Sequence, residues 1–243
     1  MVGIRSNTAT PTSQHKHKVK HKVKHKDKHK GKHKQGDKDT QTMNQSDELY
    51  KVGLALHGHK CPAMPLGLRA GLAAMEALGV GHAPDGQLTA LVEIDENHCS
   101  TCFADGVQVA TGCTFGKGNI KKLGYGKFGL TLIDNRTGRS VRVVATPEAM
   151  RRSQESEFIQ HRRNGTPASR VDPRLVEPLV EVVLTDPIEK LVSVGPVMVR
   201  EQAPMLPHAF DTIICAECGE VTVERYARVK HGQIVCIPCA AKP

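Results

Sequence analysis

The stretch 56-LHGHKCPAMPLGLRAGLAAME-76 sets His57, His59 and Cys61 within five residues, follows them with Pro62, and then takes on the pattern of a helix. Proline is tolerated in a first helical turn, so Pro62 and Pro65 mark a start rather than a break. The helix should run to about Leu78 and stop at Gly79. Gly67, Gly71 and Ala74 fall near one of its faces, where small residues let a second backbone come close. Cys61 lies just ahead of the positive end of this helix, which favours its thiolate as ligand or nucleophile.

Working outward, Leu49, Val52, Leu54 and Leu56 predict a short helix from Ser46 to about Leu56. The segment 88-LTALVEID-95 alternates like a strand, and 102-CFADGVQVATGC-113 reads as a short helix ending at Gly112. The segments 128-FGLTLIDN-135 and 140-SVRVVAT-146, joined through "RTG", predict a hairpin. Residues 147–164 predict one polar helix opened by Pro147 and closed by Gly165. "VDPRLVEPLVEVVLT" predicts another helix, and 190–199 a strand. Helices and strands do not alternate regularly. The expected fold is therefore α+β, a mixed or antiparallel sheet packed with helices, rather than a doubly wound sheet.

The chain has 243 residues and a formal charge of +9. That charge has an address. Residues 1–40 hold twelve Lys/Arg and three Asp, whereas the remainder holds 22 basic and 22 acidic side chains. The tail repeats His-Lys-x-Lys, as in "HKVKHKVKHKDKHKGK". A cation at every second position leaves nothing to bury, so residues 1–42 are expected to be disordered. Such a tail serves solubility, weak metal capture by its histidines, or non-specific phosphate binding by its lysines. There is no apolar run long enough for a membrane span, and the start of the chain lacks the apolar core of a secretory signal. The expectation is a cytoplasmic protein. In a reducing compartment Cys-x-x-Cys pairs favour metal or redox chemistry over structural disulfides.

The most specific motif is Cys215-x2-Cys218-x17-Cys236-x2-Cys239. Each pair can form a tight knuckle, and the His231–Gly232 turn lets the segment between fold back as a hairpin. Four thiolates in a tetrahedron suit a structural zinc. Residues 211–243 are accordingly read as a zinc finger, and 43–210 as the core domain. A redox or iron site is the alternative for the same four cysteines.

A second collection of soft ligands lies in the core. The segment from Glu93 to Lys127 supplies His98, Cys99, Cys102, Asp105 and Cys113 beside a glycine-rich loop. Three patterns here mislead. "GCTFGK" has only three residues between its glycines, and Gly118 stands where a phosphate loop needs Ser or Thr. "GYGKFG" precedes a strand rather than a helix, so it is no dinucleotide fingerprint. "CSTC" at 99–102 could be a thiol-redox pair, but no thioredoxin-like pattern surrounds it.

"HGHKCPAMPLGLRAG", "DGVQVATGCTFGKGNI" and the terminal four-cysteine module together resemble the FmdE family of formylmethanofuran dehydrogenase components. The resemblance covers roughly residues 50–145, plus the terminal finger. It implies an α+β core, often dimeric, with an auxiliary treble-clef or ribbon-like zinc finger. It also implies an association with the molybdenum or tungsten enzyme that fixes carbon dioxide as formylmethanofuran. Carried onto this chain, the family's metal pocket would use His59, Cys61 and Cys102, with His57, Cys99 and Cys113 as alternates. Lys117 and Asn119 match its "GCTFGKGN" loop. Two departures are visible: Ala63 stands where the family has glycine after Cys-Pro, and the Lys/His tail has no counterpart.

The leading expectation is a zinc-binding accessory or regulatory protein of one-carbon metabolism, of the methanogenesis type, with possible partners among the molybdenum or tungsten dehydrogenase subunits. A metal-dependent enzyme using the core pocket, with Cys61 or Lys117 as catalytic residue, is the second. A zinc-finger nucleic-acid-binding protein is the third. The neutral body and few aromatics argue against specific base recognition and leave only non-specific attraction through the tail.

Overall fold

The structure, a computed structural model, describes residues 46–94, 101–199 and 209–243. The expected disordered tail, and the candidates His98 and Cys99, lie outside the described residues. The chain divides by its contacts after Glu48, and both donor clusters belong to the second unit, Leu49–Pro243.

Residues 46–57 are helical (α1), and Ala63–Leu78 form α2. Gly79 closes α2 in the left-handed conformation at φ 66°, a geometry that glycine adopts without the Cβ penalty. α2 is apolar nearly all round, so it is buried on most of its circumference. The next helix, α3, spans Cys102–Thr111 and ends at Gly112, as its sequence implied. α2 and α3 touch backbone to backbone. A Cβ built on Gly67 would stand 1.9 Å from the Phe103 carbonyl oxygen, and one built on Gly106 would stand 1.9 Å from that of Met64. The small-residue face of α2 is therefore a contact surface for α3.

The sheet is built from β1 (Leu88–Val92), β2 (Ile120–Lys122), β3 (Gly129–Asp134), β4 (Arg139–Ala145), β5 (Val192–Val194) and β6 (Met198–Val199). Its order is β2-β1-β3-β4-β5, with β6 also on β4. β2 runs parallel to β1, and the other pairs are antiparallel. The register stacks Val92, Leu130 and Val143 across three strands, and beside them Ala90, Leu132 and Val141. These residues are buried with Leu66, Ala70, Ala74 and Leu78 of α2 and with Phe103 and Val107 of α3. Alternation puts Arg142 on the opposite face, where its guanidinium grips the Glu93 carboxylate at 2.6 and 2.7 Å.

Three local readings need correction. Residues 147–164 form two helices, α4 (Pro147–Gln154) and α5 (Glu157–Arg163), because Ser156 caps its own helix by accepting from the Ile159 N–H. The strand expected over 190–199 is divided. Ile188–Leu191 is a short helix (α7), and Gly195 and Pro196 part β5 from β6. β2 was not foreseen: three residues with two exposed lysines carry no alternating apolar signal. Between these elements, α6 (Pro173–Thr185) continues through Pro178.

The terminal module has two hairpins, β7/β8 (Thr212–Ile214, Val221–Val223) and β9/β10 (Arg228–Lys230, Gln233–Val235), followed by α8 (Ile237–Ala240). His231 and Gly232 both take positive φ in the turn between β9 and β10, as expected of that dipeptide. Its buried cluster consists of Cys215, Val235, Cys236 and Cys239.

Candidate metal centres and the cavities beside them

Gly58, at φ 84°, ends α1 and turns the chain so that His57 and His59 lie side by side, ring centroids 4.1 Å apart. Cys61 follows just before α2, and Cys102 opens α3. The Nε2 atoms of the two histidines are 3.1 Å apart, and His57 Nε2 is 3.5 Å from the Cys61 sulfur. His57, His59, Cys61 and Cys102 each offer a ligand atom, all within 4.8 Å of one another. Edges of about 3.3–3.8 Å would be expected for a tetrahedron of nitrogen and sulfur around zinc. Two imidazoles and two thiols at this spacing therefore fit a borderline-soft cation.

His57 is the best prepared of the four. Its Nδ1–H donates to Asp105 Oδ2 at 2.8 Å, which turns Nε2 toward the cluster. Asp105 is itself held: Gln108 Nε2 donates to its other oxygen at 3.2 Å, and the Phe115 N–H donates to Gln108 Oε1. Asp105 and Gln108 share a face of α3, one turn apart. The hydrogen bond to Asp105, with help from Cys102, pushes the His57 pKa up to about 9. Burial, then the charge of His57, holds His59 below the ordinary imidazole value.

The two thiols are shifted in opposite directions. Cys61 is held below the ordinary thiol value, first by a hydrogen bond from Cys102 and then by the N–H groups of Met64 and Ala63 at the start of α2. The direction of this shift agrees with the helix-end effect read from the sequence. Cys102, keeping its proton in the bond to Cys61 and losing water, is pushed up to about 12.

The structure brings together His59, Cys61 and Cys102, and adds His57, which sequence reading held only as an alternate. Cys113 is buried near Thr111 and lies outside this quartet. Glu93 serves Arg142 instead. Lys117 donates to the Ala83 and Pro84 carbonyls at 3.0 and 3.2 Å. Asn119 ties the Thr114 N–H to the Asp85 and Leu88 carbonyls. Both loop residues act here as latches.

Two cavities flank the quartet and share Thr101 and Cys102. One, of about 220 Å³, reaches His59 and Cys61 and is roofed by α4 and α5. The other, of about 420 Å³, reaches His57, Asp105, Gln108 and the exposed Phe115. Arg162, Gln108 and Phe115 went unnoticed in the sequence. The i, i+3 spacing of Asp105 and Gln108 was a usable signal, whereas nothing local marks Arg162.

In the terminal module Cys215 and Cys218 occupy the turn of the first hairpin, and Cys236 and Cys239 follow the second. Their sulfurs also lie within 4.8 Å of one another, with Cys218 and Cys236 at 3.9 Å. Backbone N–H groups of Cys218 and Cys236 draw Cys215 down to about 6. Four converging thiols, one already biased to thiolate, fit zinc.

Comparison with known proteins agrees with this architecture. The family model described as "FmdE, Molybdenum formylmethanofuran dehydrogenase operon" matches residues 56–193. The chain belongs to the FmdE family. A probable S-adenosyl-L-methionine-binding protein of Archaeoglobus fulgidus is 34% identical over 199 residues, 76% of this chain and 50% of that protein. The chain thus spans about half the length of that curated relative. A tungsten formylmethanofuran dehydrogenase FmdE-like protein from Syntrophus aciditrophicus, known from a crystal structure, shares the fold. Its TM-score is 0.54 at 24% identity, over 81% of this chain and 92% of that one. Among the described residues, no helix is long and apolar enough to cross a membrane.

Proposed function

We infer that this FmdE-family chain is a zinc-binding accessory or regulatory protein of one-carbon metabolism that works beside a molybdenum or tungsten formylmethanofuran dehydrogenase. The observation that carries the reading is the quartet of His57, His59, Cys61 and Cys102, with Asp105 orienting His57. The working division is a tail at 1–42, a ligand-binding core at 43–210 and a structural finger at 211–243, assembled as a homodimer.

A bound zinc at the core would act as a Lewis acid. The chain's own contributions are distinct from it. Asp105 orients the His57 ring, the Cys102 thiol and the start of α2 hold the Cys61 thiol below its ordinary value, and the adjoining cavities decide what reaches the cluster. A metal-dependent enzyme is the second reading, favoured by the exposure of three donors to a cavity.

Elemental analysis of the purified chain tests the main reading, together with identification of co-purifying proteins. Two zinc ions per chain are expected, one lost in Cys236→Ser and the other in Cys61→Ser, along with retention of dehydrogenase subunits. A chain whose only metal is in the finger, and which retains none of them, overturns it. S-adenosyl-L-methionine belongs among the ligands tried, given the Archaeoglobus relative.

A further inference from the structure

The smaller cavity has an unusual lining. Three donors, His59, Cys61 and Cys102, form part of its wall. Leu66, Phe128, Met150, Phe158, Ile159 and Val183 supply hydrocarbon. Arg162 supplies a positive charge, and among the described residues no carboxylate lines the space. One guanidinium N–H of Arg162 donates to the Thr166 carbonyl at 2.6 Å. A guanidinium has five such donors.

Size, polarity and charge together restrict the occupant. The volume is about 220 Å³, and an apolar cavity of about 150 Å³ admits benzene. A neutral hydrocarbon would leave a half-buried cation without an anion. The walls also carry the Thr101 and Ser153 hydroxyls, but hydrocarbon dominates them, which suits one small anionic head on an apolar body better than a phosphate with polar oxygens on every side. A carboxylate matches the fork of a guanidinium with two oxygens.

We propose that this cavity binds a small apolar monocarboxylate of about six carbons, its head group between Arg162 and the His59–Cys61–Cys102 donors and its hydrocarbon among Leu66, Met150, Phe158 and Ile159. The proposal rests on the metal reading only for the second partner of the carboxylate. Arg162 is the specificity-determining residue, and the α4–α5 segment supplies the hydrocarbon pocket.

Titration calorimetry on the full zinc-loaded chain tests it, with acetate, butyrate, hexanoate and the neutral hexanamide at one pH and salt concentration. Each buried methylene should tighten binding about four-fold, so hexanoate should exceed butyrate about ten-fold or more. Hexanamide should bind at least about ten-fold more weakly than hexanoate, since it forgoes the charge-assisted pair. Arg162→Gln should remove that difference, and Ile159→Trp should abolish binding of both. Wild-type affinities that do not change with chain length, or equal affinities for acid and amide, overturn the proposal without recourse to any variant. Metal analysis of the same sample separates the two ideas. A chain-length series that persists in protein without core zinc sinks the metal reading and keeps the carboxylate site. A flat series in protein with core zinc does the reverse.

Discussion

The two donor clusters are alike in number and opposite in construction. The core quartet draws its ligands from the end of α1, the turn before α2 and the start of α3, with Cys61 and Cys102 separated by 41 positions in sequence. Those elements are held by the α2–α3 backbone contact and by a broad apolar core. The terminal cluster takes all four ligands from two knuckles, and its buried set is little more than the cysteines themselves. One site is imposed by a fold that exists without it. The other sits in a module with little hydrocarbon of its own to bury.

The sharpest break of that comparison is Cys236→Ser. Structural zinc contributes on the order of 10 kcal/mol in small modules, so residues 211–243 should lose their structure and become protease-sensitive. The unfolding transition of the core should stay in place. Simultaneous loss of both would show that the finger and core are one cooperative unit.

Second in size is Gly106→Ala. Its new Cβ would meet the Met64 carbonyl oxygen at 1.9 Å and the Leu68 nitrogen at 2.4 Å, both backbone atoms. Separating α2 from α3 should cost about 3 kcal/mol of core stability and reduce core metal content, with the finger unaffected. Denaturant unfolding and metal analysis report the two effects separately.

Asp105→Asn sharpens the contrast without disturbing packing. Losing the carboxylate that orients His57 should weaken core metal binding about 10–100-fold, and the terminal cluster, whose own contacts do not involve Asp105, should keep its zinc. Chelator competition measures both sites in one titration. Equal weakening of both would contradict the assignment.

The smallest effect expected is that of Glu93→Gln. Arg142 holds the Glu93 carboxyl below the ordinary glutamate value. A depressed carboxylate stabilises the fold fully above its unfolded-state pKa, and that stability disappears as pH falls through the folded-state pKa. Arg142 is partly exposed, so the loss in the variant should be about 1 kcal/mol at neutral pH. The gap between variant and wild type should close on acidification. A gap that widens below about pH 4 would assign the stabilisation to another group.

Several features were legible because they depend on neighbours in sequence. The finger follows from the spacing of its cysteine pairs, α2 and α3 from Pro62, Gly79 and Gly112, and the β3–β4 hairpin from its turn. The break at Ser156 was legible in principle, since a serine opening an apolar turn is a capping signal, but the run of polar residues concealed it. β2 was not, because a short edge strand is defined by its partner β1 rather than by its own pattern.

The sequence by itself determined which residues could be ligands, that the glycines of α2 would admit a second backbone, and that the four terminal cysteines could converge on one cation. These are matters of chemistry and local geometry. Tertiary structure alone decided that His57 joins the quartet, because its orientation comes from Asp105, 48 positions away. It alone withdrew Lys117 to the Ala83 and Pro84 carbonyls, and it alone set Arg162 beside the cluster in an apolar cavity. In each case the deciding contact joins segments far apart in the chain, and no periodicity or spacing within either segment encodes its distance to the other.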